Sequence, residues 1–314
     1  MGDYSQFVLD RTSEFAFTEL KIQATFTEPT DLPAFKGSTF HGGFGWALEA
    51  VSQQLQTMLY RPTDEKGHTQ PKPFIIVPPD TNQQRFREGE TFTFTVKLLS
   101  TACELLDDIC AALFLWQELG LGPSRSKFAI QAIDMILPNE DLRIFQRGQP
   151  RYLMPQPLML APYLENTATT CNLLSSSQIE VMVNFTTPVQ LIKQGVRYTS
   201  APPLDILQWF ILHRAAGLMA AWSPAGVKDF NHYSPEASNL TPQCLSQHIF
   251  HVDRYSKTQE QRHPLPGFTG CWVYQIHEPN TLLLLKLAEQ LHIGKKSSFG
   301  FGRITYNVAI KDKE

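Results

Sequence analysis

The sequence lacks the markers of several common protein classes. None of its five cysteines forms a Cys-x-x-Cys pair with another, which argues against a zinc ribbon or a disulfide framework and fits a reducing compartment. The longest apolar runs, such as Leu282–Leu285, are far too short to span a bilayer. The opening residues Met1-Gly2-Asp3-Tyr4 contain no apolar signal segment. We therefore expect a soluble, cytoplasmic protein with no membrane partner.

The chain also lacks a strong charge of either sign. Its formal net charge is −3 and 18% of its residues are charged, whereas many nucleic-acid-binding domains are basic. Any binding of nucleic acid would therefore require a local basic patch. The length of 314 residues suggests two domains, and a hydrophobic content of 42% is enough for a sizeable core.

The first half of the chain predicts the order β-α-β-β-α-β. Alternating apolar residues indicate strands, and apolar residues three or four positions apart indicate helices. In chain order we predict strand 14–28, helix 38–59, strands 73–78 and 91–99, helix 105–119 and strand 127–137. This is the ferredoxin-like pattern, which RNA-recognition domains also use.

The second half repeats this order behind an additional hairpin. In chain order we predict strands 178–187 and 189–199 with a turn at Gln194-Gly195, helix 203–222, strands 249–255 and 267–276, helix 279–291 and strand 304–310. Segment 143–172 is rich in Pro, Gln and Thr and is predicted to be irregular. The predicted fold is α+β, with two tandem ferredoxin-like, RRM-like domains at residues 1–160 and 161–314.

A glycine-rich basic segment lies between the last predicted helix and the last strand. Its glycines let the backbone approach a ligand, and exposed amides of such a loop can cradle phosphates. Phe299 and Phe301 either stack on bases or pack inward. The candidate RNA-binding residues are His292, Gly294, Lys295, Lys296, Ser297, Ser298, Phe299, Gly300, Gly302 and Arg303. The alternative is a tight turn with a solvated basic face. A Walker motif is excluded, because Glu289 occupies the position of its first glycine.

The chain resembles the RAMP superfamily, specifically its CRISPR repeat-RNA-processing endoribonucleases. That family carries a C-terminal Gly-x-Gly, a five-residue spacer with Lys and Ser or Thr, and a second Gly-x-Gly. Here Gly294, Gly300 and Gly302 match, and His292 replaces the first glycine. Other similar segments are 32–38 before the first helix, the glycine turn at 86–92, the segment 187–195, the helix with Leu212-His213-Arg214, and 267–270.

The resemblance implies a metal-independent endoribonuclease that cuts precursor CRISPR RNA within its repeats. In that reaction the RNA's own 2′-OH attacks the adjacent phosphate, leaving a 2′,3′-cyclic phosphate and a 5′-OH. The implied partners are the repeat RNA, as precursor and as mature guide, and other CRISPR effector subunits. No cofactor and no metal are expected. The alternatives are a non-catalytic RAMP subunit that binds or caps guide RNA and, from the fold alone, a ferredoxin-like small-molecule enzyme.

His41 and Lys36 are the candidate catalytic residues. The chemistry needs proton transfer, which suits histidine, and a cation close to the pentacovalent phosphorus. His41 falls in the first turn of the predicted helix, the region from which the family's histidine generally comes, although many relatives have an arginine nearby. His41 is therefore an acid–base group, a phosphate contact or a buried helix-capping histidine. Lys36 is the nearest candidate cation, or an ordinary surface lysine.

Three further patterns carry less weight. His292 is a possible second catalytic group or an ordinary histidine at a helix C-terminus. His248, His251 and Cys244 match no standard zinc spacing. The His41-Gly42-Gly43 sequence is similar to a lipase oxyanion loop, but the chain contains no Gly-x-Ser-x-Gly elbow.

Overall fold

The computed structural model describes residues 4–149, 153–174, 179–224, 230, 241–256 and 261–310. The helices are α1 Tyr4–Thr12, α2 Gly37–Val51, α3 Gln53–Tyr60, α4 Leu106–Leu119, α5 Leu160–Leu173, α6 Leu204–Trp222 and α7 Asn280–Leu291. The strands are β1 Ala16–Phe26, β2 Thr30–Asp31, β3 Phe74–Val77, β4 Arg85–Phe86, β5 Thr91–Leu99, β6 Phe128–Met135, β7 Leu142–Gln146, β8 Leu158–Met159, β9 Ile179–Val189, β10 Leu191–Lys193, β11 Val196–Tyr198, β12 Gln243–Ser256, β13 Gln261–Ile276 and β14 Ile304–Ile310. Short 3₁₀ turns span Ser100–Leu105 and Ser297–Phe299.

Both halves of the chain build an antiparallel sheet with the same strand order. The first sheet runs β3-β5-β1-β6-β7, and the second runs β12-β13-β9-β14. In each sheet the first long strand lies in the middle, between the third and fourth strands of a β-α-β-β-α-β unit. The predicted α+β class and the order of the principal elements are therefore confirmed. The predicted hairpin is also present, with β10 and β11 joined through Gln194-Gly195.

Each sheet has its own hydrophobic core. Alternate residues of β1 and β5, such as Ile22 and Phe94, pack beneath α2 and α4, where Phe40 and Trp116 are fully buried. The second core lies among β9, β13, α6 and α7, and it also takes side chains from α1 and α5. Along the strands, buried side chains recur at every second position, because one face of each sheet is covered by helices. These cores hold the two sheets rigid on either side of their junction.

Several elements differ from the sequence-based expectation. The predicted helix 38–59 is two helices, because Ser52 is extended and its side chain caps α3 by accepting from the Leu55 amide at 3.3 Å. The segment predicted to be irregular contains β7 and α5, and α1 was not predicted. Leu160, Leu164 and Ala168, at every fourth position of α5, are buried in the second core. Burial of this stripe, and not local propensity, favours the helix. The division into domains at residue 160 stays a prediction. Helix α1, from the N-terminal end of the chain, packs into the second core together with α5.

A buried polar contact joins the two halves. Lys97 on β5 forms an ion pair with Glu19 on β1 at 2.9 Å, and the two residues are register partners. The same ammonium donates to the side chain of Gln290 on α7 at 3.0 Å. Burial raises the pKa of Glu19, but the charge and hydrogen bond of Lys97 outweigh burial and hold that pKa below its ordinary value. The carboxylate therefore favours the folded state.

Replacing Lys97 by methionine is expected to destabilise the protein by about 3–5 kcal/mol, because Glu19 would remain buried without its cation. The double variant Glu19→Gln/Lys97→Met should recover part of this loss. Denaturant unfolding measures both. The Glu19 contribution is present above the ordinary carboxyl pKa, about 4.3, and is lost as the pH falls through the lower folded-state pKa. A Lys97→Met protein as stable as the parent would contradict the assignment.

None of the helices in the described part of the chain has the length and apolar character needed to cross a bilayer.

Candidate functional site

The main cavity lies between the N-terminal helices and the glycine-rich segment. Its volume is about 670 Å³. The wall from the first half comes from α2, α3 and the segment before β3, and the opposite wall comes from α6 and residues 294–299. The charged and histidine side chains on its lining are His41, Glu49, Arg61, Lys72, Arg214 and Lys296. Four cations against one carboxylate make this a local basic site in a chain of net negative charge.

His41 is held on several sides at the edge of this cavity. Its ring stacks on Phe299 with centroids 3.9 Å apart and an interplanar angle of 6°. The Tyr60 hydroxyl donates to the His41 carbonyl oxygen at 2.6 Å. Burial raises the pKa of Tyr60 well above its ordinary value, so this phenol stays protonated. His41 is therefore oriented by residues from α3 and from the glycine-rich segment.

Lys72 is the cation beside His41. Its Nζ lies 3.3 Å from His41 Nε2 and 4.7 Å from the centroid of the Tyr60 ring. An ammonium can donate to Nε2 only if that nitrogen carries no proton. A hydrogen bond at this contact therefore requires the His41 tautomer in which Nε2 accepts from the Lys72 ammonium.

The first turn of α2 is covered by the glycine-rich segment. The helix begins at Gly37, which places His41 in its second turn. A Cβ added to Gly37 would lie 2.5 Å from the Phe299 carbonyl oxygen. The glycine-rich segment therefore covers the start of α2, and His41 lies on the side of the helix.

Lys36 lies outside the main cavity. Its ammonium donates to the carbonyl oxygens of Ala34 at 3.1 Å and Thr81 at 2.7 Å, and only 1% of the residue is exposed. Burial lowers the pKa of Lys36. It lines a smaller cavity of about 190 Å³ that also contains Gly300 and Arg303. The structure thus places Lys72, and not Lys36, beside His41, and Lys36 ties two loops together.

Most of the amides in the glycine-rich segment that were expected to cradle phosphate are already bonded. Lys295 donates to Gln190, Gly302 donates to Pro188, and Arg303 donates to the Thr187 hydroxyl, each at 2.9 Å. The amides of Ile293, Phe299 and Gly300 also donate to backbone carbonyls. The glycines serve this packing. Gly294, Gly300 and Gly302 have positive φ, and a Cβ on any of them would collide with a backbone oxygen.

The side chains of the segment divide into an inner and an outer set. Phe299 and Phe301 pack inward and are 5% and 0% exposed. Ser297 and Ser298 are largely buried but lie on the main cavity. Lys295, Lys296 and Arg303 are exposed. The segment therefore presents three cations to solvent, and its two phenylalanines pack into the protein.

His292 is a structural residue in this fold. It is 1% exposed and its Nδ1 lies 3.0 Å from the Phe301 carbonyl oxygen, to which it donates. Burial and the nearby Lys97 charge lower the pKa of His292 well below its ordinary value, so the ring is neutral at neutral pH. The predicted contact of His292 with RNA is not supported, because the ring is covered.

Three residues of the cavity were not selected from the sequence. Lys72 stands between two prolines in a loop, Tyr60 ends α3, and Arg214 lies within α6. Burial lowers the pKa of Arg214 to about 10, which still leaves it charged at neutral pH. The lysine between prolines is the one local signal, since such a loop is stiff and positions its side chain. The described residues contain no cluster of His, Cys, Asp and Glu suited to a metal ion, and the side chain of His251 lies outside them.

The protein is of the α+β class, with two ferredoxin-like sheets and a basic cavity that contains a histidine between them. Residues 183–304 match the family of the CRISPR-associated endoribonuclease Cas6. A second family model, described as an N-terminal domain, matches residues 15–158. Residues 183–304 are thus similar to the Cas6 family, which agrees with the resemblance seen in the sequence. A search of curated proteins finds no match.

Solved structures share the fold. A Cas6 product complex is 17% identical with a TM-score of 0.55, over 93% of this chain and 99% of that chain. The Cas6 of Thermus thermophilus is 16% identical with a TM-score of 0.52, over the same shares of 93% and 99%. A chain of a partial Cas6-RT-Cas1–Cas2 complex is 12% identical with a TM-score of 0.62, over 96% of this chain. This chain spans 48% of that chain's length and 30% of the chain from the corresponding Cas6-RT-Cas1–Cas2 complex.

Substituting Gly37 by alanine is expected to lower the free energy of unfolding by about 1–3 kcal/mol, because the added methyl group would collide with the Phe299 carbonyl oxygen. Gly42→Ala in the same helix is the matched control. A Cβ at Gly42 meets nothing within 4 Å, so this change should raise stability by about 0.5–1 kcal/mol. Thermal unfolding of both variants measures the difference, and equal effects would contradict the close contact.

Proposed function

We propose that this chain binds CRISPR repeat RNA and cleaves it in the main cavity without a metal ion. The observation that carries the proposal is the pairing of His41 Nε2 with the Lys72 ammonium at 3.3 Å on the wall of a basic cavity. The similarity of residues 183–304 to the Cas6 family supports RNA as the substrate. The cavity contributes the two groups that phosphodiester transesterification needs, a base and a nearby cation.

In the proposed reaction the scissile phosphate enters the cavity and attracts the Lys72 ammonium. His41 Nε2 is then free to accept the proton of the adjacent 2′-OH. The 2′-oxygen attacks phosphorus, the bond to the 5′-oxygen breaks, and the departing 5′-oxygen takes a proton from a water molecule, whose hydroxide then removes the proton held by His41. The products carry a 2′,3′-cyclic phosphate and a 5′-OH. Lys72 and Arg214 stabilise the charge that develops on the phosphoryl oxygens. The stacking of His41 on Phe299 keeps the ring in place.

The glycine-rich segment has a supporting role in this proposal. Lys295, Lys296 and Arg303 are its exposed cations and would contact RNA phosphates, which gives a binding term that weakens with salt. Gly294, Gly300 and Gly302 hold the backbone shape that presents these side chains. Lys36 and His292 act as structural residues.

The proposal includes other CRISPR proteins as partners. Two of the similar solved chains come from Cas6-RT-Cas1–Cas2 complexes, and this chain covers less than half of each of them. A subunit that binds guide RNA without cutting it is the competing function. Cleavage by the purified protein separates the two.

Replacing His41 by alanine is expected to slow cleavage of labelled repeat RNA by about 10²–10⁴-fold, because the proton acceptor is lost. The assay contains EDTA and uses repeats of the neighbouring CRISPR array. His68→Ala is the matched control, since this histidine is 71% exposed on a loop and lines no part of the cavity. RNA with a single 2′-deoxy substitution at the cut site should stay intact. Uncut RNA with the unaltered protein, or full activity of His41→Ala, would contradict the proposal.

Replacing Lys72 by alanine is expected to lower the cleavage rate at saturating RNA by about 10²–10³-fold, because a charge beside the phosphoryl oxygens is lost. Lys36→Met is the comparison. Its main effect should be on stability, since the Ala34 and Thr81 carbonyl oxygens lose their donor. Single-turnover rates and melting temperatures separate the two effects. If Lys36→Met were stable but inactive and Lys72→Ala were active, Lys36 would be the catalytic cation.

A further inference from the structure

A second cavity opens beside α6, next to the main one. It has a volume of about 670 Å³, and its lining is mainly apolar. The residues that shape it include Pro71, Ile192, Trp209, His213, Gly217 and Lys295. Pro71 is fixed against the end of α6, because its carbonyl oxygen accepts from the Trp222 indole at 2.7 Å. The cavity is therefore built on a rigid helix and a tethered loop.

Gly217 keeps this cavity open. A glycine inside a helix is unfavourable compared with alanine, so its presence calls for a physical reason. At the fully buried glycines of the described residues, a close neighbour supplies the reason, whereas Gly217 is half-buried. At Gly217 a Cβ would meet only the Pro71 Cγ, at 3.7 Å, which is an ordinary contact. No packing constraint requires glycine at this position, and any larger side chain would occupy the cavity.

The wall of the cavity combines aromatic rings with cations. Trp209 and His213, one helical turn apart, stack with centroids 4.8 Å apart and an interplanar angle of 8°. The Lys193 ammonium lies 4.6 Å from the Trp209 centroid. His213 is exposed, so one face of its ring is accessible to a ligand. Flat rings beside positive charges are the features with which proteins hold unpaired nucleotides, by base stacking and phosphate contact.

The second cavity is continuous with the proposed cleavage site. Pro71, Arg214 and Gly294 line both cavities. A charged guanidinium therefore stands between the two, where a strand that passes from one to the other would place a phosphate. The volume lies within the range of about 300–1,000 Å³ typical of small-ligand sites, which is large enough for one nucleotide.

We propose that the cavity beside α6 receives one unpaired nucleotide of the RNA whose backbone passes His41. Its base enters the space over Gly217 against Trp209 and His213, and its phosphates contact Arg214 and Lys295. This inference rests on the proposed function, because the strand must be RNA bound at the main cavity. The pocket fixes the register of the strand relative to His41, and thereby the bond that is cut.

The test combines a filled cavity with a base-deletion scan. Gly217→Leu places a side chain in the pocket, and Ala111→Leu adds the same bulk on the exposed face of α4, away from both cavities. Affinities are measured by fluorescence anisotropy with repeat RNA that carries a 2′-deoxy at its cut site. A series of these RNAs lacks one base each. With the unaltered protein, one abasic position should weaken binding by about 5- to 150-fold.

In Gly217→Leu, binding of intact RNA should fall by a similar factor, and the abasic position should cause no further loss. Ala111→Leu should behave as the parent. His213→Ala, a change at an exposed helix position, should lower RNA affinity by a smaller factor. It tests the same pocket if Gly217→Leu fails to fold. Normal binding and cleavage by Gly217→Leu, with an unchanged abasic profile, would overturn the pocket and leave the proposed function intact. Absence of RNA binding by the unaltered protein would overturn the proposed function itself.

Discussion

The contact on which this structure depends is the docking of the glycine-rich segment onto helix α2. The Phe299 carbonyl oxygen meets α2 at Gly37, where a Cβ would lie 2.5 Å away, and the Phe299 ring stacks on His41 at 3.9 Å. The main cavity takes one wall from each partner of this contact. Gly37 and Gly300 therefore matter first for close packing between the two halves, whereas Gly294 and Gly302 let the segment pack against backbone of its own half.

A second contact of different chemistry joins the same halves. Glu19, Lys97 and Gln290 form a buried polar group between β1, β5 and α7. Any other packing of the halves would leave one of these groups buried without its partner, at a cost of several kcal/mol. The contact therefore specifies how the halves meet more than it adds stability. Close backbone packing on one side and a desolvated ion pair on another together define one arrangement. In that arrangement Arg61, Lys72, Arg214 and Lys296 converge, which explains how a chain of net charge −3 presents a basic cavity.

Local pattern was a good guide to the sheets and a poor guide to peripheral helices. The alternation in β9 and the helical spacing in α6 are strong, because one face of each element is buried along its full length. Helix α5 was missed, since its Thr and Pro content favours irregular backbone and its apolar stripe is short. The break at Ser52 was also missed, although serine is a common N-cap. What decides both is burial in a core: the stripe of α5 packs into the second core, and Leu55 and Leu59 of α3 pack into the first.

The sequence by itself determined the two β-α-β-β-α-β units, the position of His41 near the start of the first helix, and the basic glycine-rich segment. These follow from residue types and short periods, which neighbouring residues encode. Only the tertiary structure decided that Lys72 and not Lys36 stands at His41, that His292 is buried, and that an open space remains above Gly217. The physical reason is that each of these three features depends on contacts between residues that are not neighbours in the chain. Local residue spacing does not encode such contacts.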